Sequence, residues 1–122
     1  MKLSTRGRYG VRAMVDLALH YGRGHVSLKD IAKRQRVSEK YLQHIITPLK
    51  MGGLVRSIRG VHGGYTLAKI PVQIKLSQII GTLEGSTAPV ECVDESGICS
   101  QVSTCVTRDI WVKVKRATDK IL

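Results

Sequence analysis

The chain has 122 residues, with 20 Lys and Arg against 9 Asp and Glu and a net charge of +11. This length suits one domain with an appended element, and a hydrophobic content of 43% argues against wholesale disorder. The sequence lacks a run of about 18 apolar residues, which excludes a membrane span, and its arginine-rich start does not have the pattern of a secretory signal, so we expect a cytoplasmic protein.

The positive charge is confined to the first half of the sequence. Residues 1–69 hold 14 Lys and Arg and 3 Asp and Glu, a net charge of +11, whereas residues 70–122 hold 6 of each sign. This separation predicts a head that binds a polyanion and an electrically neutral remainder. A solvated basic face without a partner is the alternative, and charge by itself does not distinguish DNA from RNA or acidic lipid.

Three helices are predicted in the basic half. Apolar residues from Val11 to Leu19 recur at spacings of three and four, which indicates an amphipathic helix over residues 7 to about 21. Ser27 and Ser38 have the pattern of N-caps for two further short helices, the spacing of a helix-turn-helix. Because Pro48 lacks a backbone N–H, we expect it to kink or end the third helix near residue 47.

A β-hairpin is predicted directly after these helices. Residues 54–58 and 65–68 have strand composition, and three glycines lie among the residues between them, which suits a tight tip. A helix-turn-helix followed at once by a basic hairpin is the order of elements in a winged helix. We therefore predict a mainly α fold with a small β-hairpin wing and assign residues 1–70 to a winged helix-turn-helix DNA-binding domain.

The predicted DNA contacts lie at the front of the third helix and at the hairpin tip. Lys40 suits a phosphate, and the Gln43 amide suits a bidentate contact to N6 and N7 of adenine. Tyr41 either packs its ring in the domain or hydrogen-bonds to a phosphate, while Arg59 either enters a narrow A·T-rich minor groove or stays solvated. The full predicted set is Lys29, Ser38, Lys40, Tyr41, Gln43, His44, Arg59 and Gly60.

The second half is predicted to hold a short helix capped by Ser77, a loop over residues 85–103 and a long final helix. Apolar residues in that final helix follow at steps of three and four, which is typical of one helix packing on another. They are Val106, Ile110, Val114, Ala117 and Ile121. One domain can bury such a seam on itself, but the reading of palindromic DNA favours a homodimer. We assign residues 71–105 to a connecting helix and cysteine-bearing loop, and residues 104–122 to a long C-terminal dimerisation helix.

Three cysteines, Cys92, Cys99 and Cys105, lie close together in the neutral half. They form no Cys-x-x-Cys pair, which weakens a structural zinc site, and cytosolic disulfides are rare. Three soft thiolates on one glycine-bearing loop suit an iron–sulfur cluster whose fourth ligand comes from elsewhere. From spacing alone, zinc binding and thiol redox sensing stay open.

Five segments of the sequence resemble one family of regulators. They are MKLSTRGRYGVRAMVDLAL, SLKDIAKRQRVSEKYLQHI, GLVRSIRGVHGGYTLAK, LSQIIGTLEG and CVTRDIW. These segments are similar to those of the IscR-type iron–sulfur cluster regulators and their winged-helix relatives, and the resemblance covers nearly the whole chain. It implies a dimeric transcription regulator with Cys92, Cys99 and Cys105 as cluster ligands. The resemblance favours a [2Fe–2S] cluster, as in IscR-type proteins, with [4Fe–4S] as the other possibility, since nitric-oxide- and iron-sensing relatives carry [4Fe–4S] or [3Fe–4S] clusters.

The chain departs from the enterobacterial form of this family at two places. Arg108 stands where that form has a histidine three positions after the third cysteine, and a guanidinium does not ligate iron. The interval between the first two cysteines is also one residue longer. The fourth ligand is therefore open, with Asp109, Glu91, a partner side chain or a small molecule as candidates.

The functional prediction is a dimeric regulator that senses iron–sulfur cluster status and controls genes such as those for cluster assembly. Its alternatives are a thiol-redox or zinc-responsive regulator of the same fold and a non-specific nucleic-acid-binding protein. An enzyme is not expected, because neither a nucleophile paired with a base nor a phosphate-cradling loop is evident.

Overall fold

A computed structural model describes residues 2–122 and confirms the predicted class of fold, with five α-helices and one two-stranded antiparallel hairpin. The helices are α1 (Thr5–Leu19), α2 (Leu28–Gln35), α3 (Glu39–Met51), α4 (Leu76–Glu84) and α5 (Val106–Ile121), and the strands are β1 (Val55–Ile58) and β2 (Gly64–Leu67). The chain forms two compact units, Leu3–Glu84 and Gly85–Leu122. Within residues 2–122 no helix has the length and apolar content needed to cross a membrane.

Serine side chains begin the first three helices. Ser4, Ser27 and Ser38 have extended backbones, and each accepts a hydrogen bond of 3.0–3.1 Å from the N–H three residues further on. A cap of this kind contributes about 1 kcal/mol. The caps predicted at Ser27 and Ser38 are confirmed, whereas α1 begins at Thr5, earlier than predicted, because Ser4 caps it.

Small residues decide which face of α1 is buried. A Cβ atom at Gly10 would collide with the side chain of Leu83, so α1 and α4 approach closely there. The large apolar residues of the predicted stripe are therefore divided: Met14 is buried, while Val15 and Leu19 are exposed. Their spacing predicted the helix correctly but not its buried face.

Helix α3 continues through Pro48 to Met51, so the predicted end near Thr47 is wrong, while the alternative of a kink there stays a prediction. Four aliphatic side chains of α3, including Ile45 before the proline and Leu49 after it, are almost completely buried. Burial stabilises each by about 1.5–3 kcal/mol, which together exceeds the cost of about 3 kcal/mol for a proline inside a helix. Packing against the core therefore overrides the local preference of the chain.

The hairpin forms as predicted, with Val55 of β1 opposite Leu67 of β2. Tyr65 of β2 has a second backbone neighbour, because it exchanges N–H···O hydrogen bonds of 2.8 and 2.9 Å with Val26. The hairpin is thereby fastened to the segment that leads into α2.

Helix α4 begins at Leu76, so the predicted cap at Ser77 is wrong. The side-chain oxygen of Gln78 instead accepts a hydrogen bond of 2.8 Å from the N–H of Lys75, which satisfies a backbone donor just before the helix. The inward face of α4 joins the core of the first unit, which therefore extends to Glu84.

The second unit contains the cysteines and α5. Its first part, predicted as a loop, contains two short 3-10 turns, Glu91–Val93 and Ser96–Ile98. None of residues 85–122, all of which the structure describes, is fully buried. This unit therefore has no closed hydrophobic core of its own.

Candidate nucleic-acid interface and cysteine segment

The helix-turn-helix link consists of three residues between α2 and α3. Arg36 adopts the left-handed conformation with φ 56°, and the N–H of Val37 donates back to the carbonyl of Ala32 at 3.0 Å. This tight turn ends α2, and Ser38, the last residue of the link, caps α3.

One exposed face of α3 gathers most of the predicted DNA contacts. Lys40, Gln43 and His44 are all exposed, and their spacing of three and four places them on the same side of the helix. The Ser38 hydroxyl accepts a hydrogen bond from the N–H of Tyr41, which leaves its own hydrogen free to bind a phosphate. Lys29 is exposed in the first turn of α2.

Tyr41 does not share that exposure. Its ring is half-buried and meets the ring of Tyr9 edge to face, with 6.1 Å between the centroids. The Arg12 guanidinium lies 4.8 Å from the centroid of the Tyr9 ring on α1. Of the two interpretations of Tyr41, the geometry favours ring packing that fixes α3 against α1.

The hairpin tip places Arg59 and Gly60 at the surface. Gly60 has φ 114°, a conformation that favours glycine, and a Cβ atom at Gly63 would collide with the carbonyl oxygen of Ile58. These backbone requirements keep the tip narrow. Narrow tips that carry arginine suit insertion into a groove of DNA.

A buried carboxylate that the sequence analysis missed connects α1 with α2. Asp16 is 4% exposed and accepts two hydrogen bonds from Arg34, of 2.8 and 2.9 Å, and one of 3.0 Å from Gln35. Burial by itself would raise the pKa of Asp16, but these hydrogen bonds and the nearby charges of Arg34 and His20 hold the pKa below its ordinary value. The sequence signal that could have identified Asp16 is an acidic residue within an otherwise apolar stretch of a basic unit.

The first unit remains strongly basic after this pairing. It holds 14 Lys and Arg against 4 Asp and Glu, and one of those acids is the buried Asp16. Charge of this density on a compact unit attracts a polyanion over a distance of about a Debye length.

The three cysteines lie at turns of the second unit, and all are free thiols. Cys92 is half-buried in the first 3-10 turn, Cys99 is exposed after the second, and Cys105 is half-buried at the N-cap of α5. Across residues 2–122, no three His, Cys, Asp or Glu side chains converge in a way that could hold a metal ion. The structure thus places the predicted ligands on one segment without bringing them together.

Two contacts organise this segment around the start of α5. Arg108 Nε donates a hydrogen bond of 3.1 Å to the carbonyl oxygen of Cys92, which ties the first 3-10 turn to the helix. The hydrogen bond between the Thr107 hydroxyl and Cys105 Sγ, 3.2 Å long, lowers the pKa of the Cys105 thiol. Arg108 therefore has a structural contact at the position where the resemblance expects a histidine.

The apolar seam of α5 faces away from its own unit. Its Val, Ile and Ala residues are all exposed, and four of them show between 37% and 83% of their surface. The opposite face, which includes Arg108, Val112 and Lys115, is half-buried. Exposed apolar stripes of this kind mark interaction surfaces.

An exposed recognition helix after a tight turn, together with a basic wing, defines a winged helix-turn-helix transcription regulator. A family model described as "Rrf2: Iron-dependent Transcriptional regulator" matches residues 3–122. The chain belongs to the Rrf2 family, and its predicted resemblance to IscR-type regulators is confirmed at that level.

Three known proteins illustrate the similarity. Protein rrf2 of Nitratidesulfovibrio vulgaris is 44% identical over 117 residues, which cover 96% of this chain and 78% of that protein. The structure of CymR (YrzC), the global cysteine regulator of B. subtilis, matches with a TM-score of 0.82 and 39% identity over 100% of this chain and 89% of that one. T. potens IscR matches with a TM-score of 0.80 and 46% identity, over 100% and 80% of the two chains. The family model and relatives such as the HTH-type transcriptional regulator CymR of Bacillus subtilis are described as transcriptional regulators, and the prediction that this chain is not an enzyme is confirmed.

Proposed function

We propose that this regulator acts in the cytoplasm as a homodimer on palindromic promoter DNA, and that an iron–sulfur cluster held by Cys92, Cys99 and Cys105 controls its DNA binding. The observation that carries the proposal is the presence, in one chain, of a basic winged helix and of three free thiols on one separate segment. A coupling free energy of about 1–3 kcal/mol between the two sites would change DNA affinity by about 5- to 150-fold.

The DNA-binding part of the proposal depends on the exposed face of α3 and on the wing. Lys29, Ser38 and Lys40 are assigned to phosphates, Gln43 and His44 to base edges in the major groove, and the tip residues Arg59 and Gly60 to the minor groove. Tyr41 supports this set from inside the domain by packing on Tyr9.

The dimer is supported by the seam of α5. A helix that shows its apolar face to solvent gains free energy when a second copy covers that face, at about 25 cal/mol per Å² of apolar surface buried. A two-fold pair of heads also matches the symmetry of a palindromic site. We therefore assign residues 104–122 to dimerisation.

The donor chemistry of the cysteine segment fits an iron–sulfur cluster, since thiolates are the usual ligands. The thiols do not converge in the described residues, so holding a cluster requires them to approach one another. When bound, a cluster supplies a group whose occupancy depends on iron, sulfide and oxidants. The resemblance of the sequence to IscR-type regulators favours [2Fe–2S], with [4Fe–4S] as the other type.

Anaerobic reconstitution tests the cluster directly. We expect visible charge-transfer bands and bound iron and sulfide in the wild-type protein, and their loss in Cys92→Ser, Cys99→Ser and Cys105→Ser. Ser100→Ala, a change in the same segment, is the matched control and should retain the bands. Absence of bands from wild-type protein with all three thiols reduced would refute cluster binding.

A thiol-redox or zinc-responsive regulator of the same fold is the second candidate. The Thr107 hydroxyl lies 3.2 Å from Cys105 Sγ and lowers the pKa of that thiol, which supports a redox response because the thiolate is the form that reacts with oxidants. Metal analysis of protein isolated without oxygen separates the two functions: bound iron supports the first, bound zinc or metal-free reactive thiols the second.

A third candidate, a non-specific nucleic-acid-binding protein, differs from the proposed regulator in that it has no sequence preference. The regulator should bind a palindromic duplex, selected by the protein from a random library, at least about 1,000-fold more tightly than random duplex. Equal affinities would support the non-specific function, whereas a steep dependence on salt is expected in either case.

A further inference from the structure

The side chain of Gln43 is bound at both ends of its amide group. On one side, the Tyr65 hydroxyl donates a hydrogen bond of 3.2 Å to Gln43 Oε1. On the other side, Gln43 Nε2 donates a hydrogen bond of 3.1 Å to Thr47 Oγ1, one turn further along α3. The predicted base-reading residue is thus connected to both the recognition helix and the wing.

The Thr47 hydroxyl decides which way the amide points. Its hydrogen is committed to the backbone carbonyl oxygen of Gln43, at 2.8 Å, so Oγ1 can only accept a bond from the amide. A flipped amide would set Gln43 Oε1 against Thr47 Oγ1 without a hydrogen between them. Only one orientation of the amide therefore satisfies both neighbours.

Tyr65 provides a fixed point for this contact. Its backbone lies between two neighbours, Ser57 in β1 and Val26 before α2, and its side chain packs against the core. A Cβ atom at Gly64 would collide with the backbone of Val26, so β2 and this segment are in close contact. These contacts restrict the side chain of Tyr65 and thereby fix the position of its hydroxyl group.

We propose that Tyr65 is a positioning residue for DNA sequence recognition, which acts with Thr47 to fix the orientation of the Gln43 amide. The inference deepens the proposed function and depends on Gln43 facing the base edges. In this orientation, one lone pair of Oε1 and one N–H of Nε2 stay free. That pair is complementary to adenine, which offers the N6 amino donor beside the N7 acceptor, and not to guanine, which offers two acceptors.

The fixed polarity has a consequence for the base pair that is read. Because Oε1 is on the side of the wing and Nε2 on the side of Thr47, the donor and acceptor face the groove in one order. Gln43 therefore distinguishes an A·T pair from the same pair reversed, and this distinction depends on the two hydroxyl groups that hold the amide, those of Tyr65 and Thr47.

The test uses the full-length protein and a palindromic duplex selected from a random library by the wild type. Gln43→Ala first identifies the base pair at which wild-type discrimination is lost. At that pair, Tyr65→Phe should lower discrimination by about 3- to 10-fold, part of the effect of a bidentate contact, while affinity for random duplex changes less than about twofold. Thr47→Val should lower the preference for A·T over T·A at the same pair. Tyr9→Phe, which removes a tyrosine hydroxyl elsewhere in the unit, is the matched control.

The outcomes separate this inference from the function on which it depends. If the wild type does not prefer its selected duplex over random DNA, the proposed function fails. If it does, but Gln43→Ala identifies no base pair or Tyr65→Phe discriminates there like the wild type, only the positioning role is overturned. NMR of the free protein gives a second readout: the Gln43 side-chain amide signals should shift in Tyr65→Phe and not in Tyr9→Phe.

Discussion

The units Leu3–Glu84 and Gly85–Leu122 differ in what holds them together. The first encloses fully buried aliphatic residues such as Ile31 and Leu49 and holds 14 Lys and Arg against 4 Asp and Glu. The second has 5 residues of each sign, and no residue in its described range is fully buried. The first unit covers its apolar residues within its own core, whereas the second unit exposes apolar surface and gains stability when another surface covers it.

The largest expected effect follows from a charge placed in the outward seam of α5. In Ile110→Glu a carboxylate must be buried twice in a symmetric dimer, at several kcal/mol each, so dimer affinity should fall by at least about 100-fold. Sedimentation equilibrium measures this, and tight binding to palindromic DNA should be lost with it. Arg116→Glu introduces the same side chain outside the seam and should remain dimeric. An unchanged dimer of Ile110→Glu would show that the seam is not the interface.

The next effect concerns the first unit alone. Asp16→Asn removes charge-assisted hydrogen bonds from Arg34 and should lower the free energy of unfolding by about 2–3 kcal/mol at pH 7. Because the folded-state pKa of Asp16 lies below its unfolded value of about 3.9, the stabilisation is present above that value and is lost as pH falls through the folded pKa.

Chemical denaturation at several pH values checks the Asp16 prediction. The difference between Asp16→Asn and the wild type should be constant near neutral pH and should narrow below about pH 4. Asp30→Asn, a change at an exposed carboxylate of α2, serves as control and should differ little from the wild type. A difference that widens with acid would contradict the prediction.

A smaller effect, of opposite sign, is expected at Pro48. Pro48→Ala restores a backbone donor and a good helix former inside α3, and part of that gain is lost to the greater freedom of the unfolded chain. We expect stabilisation by about 1 kcal/mol, seen as a higher urea midpoint with an unchanged slope. Lys50→Ala, at an exposed position of the same helix, should change stability by less than about 0.5 kcal/mol.

The smallest effect is expected at the tip of the wing. Arg59→Ala should weaken DNA binding by about threefold overall and more for sites flanked by A·T pairs, where a narrow minor groove concentrates negative potential. Lys40→Ala should weaken binding to all duplexes alike and reduce the salt slope by about one. Fluorescence anisotropy with A·T- and G·C-flanked sites compares the two. Equal losses at both flanks in Arg59→Ala would place this arginine outside the groove.

Local sequence signals predicted the elements of the first unit well. Ser27 and Ser38 are caps with a direct chemical role, and glycines marked the hairpin because its backbone needs them. The errors came where packing between distant elements decides: Pro48 stays in a helix because its neighbours are buried, and Gly10 sets the face of α1 because Leu83 lies against it.

The same distinction between local signals and contacts of distant residues applies to the candidate site. Exposure of Lys40, Gln43 and Arg59 followed from their places on a helix and at a tip. The contacts Tyr65 to Gln43 and Arg34 to Asp16 join residues 18 or more positions apart, and their spacing has no period that a sequence pattern reveals. The cysteines were found by type, but their separation in the fold was not predicted.

The close approach of α1 and α4 has a consequence for how this chain can vary. A methyl group added at Gly10 meets the flexible end of the Leu83 side chain rather than fixed backbone, so a shorter residue at 83 can make room for it. Substitutions at positions 10 and 83, which are far apart along the chain, are therefore expected to occur together in related proteins. A Cβ atom at Gly64 would instead collide with the backbone of Val26. Because no second substitution removes backbone atoms, a side chain at position 64 cannot be compensated in this way. The fold therefore allows paired substitutions between α1 and α4, but not at the contact between β2 and the segment before α2.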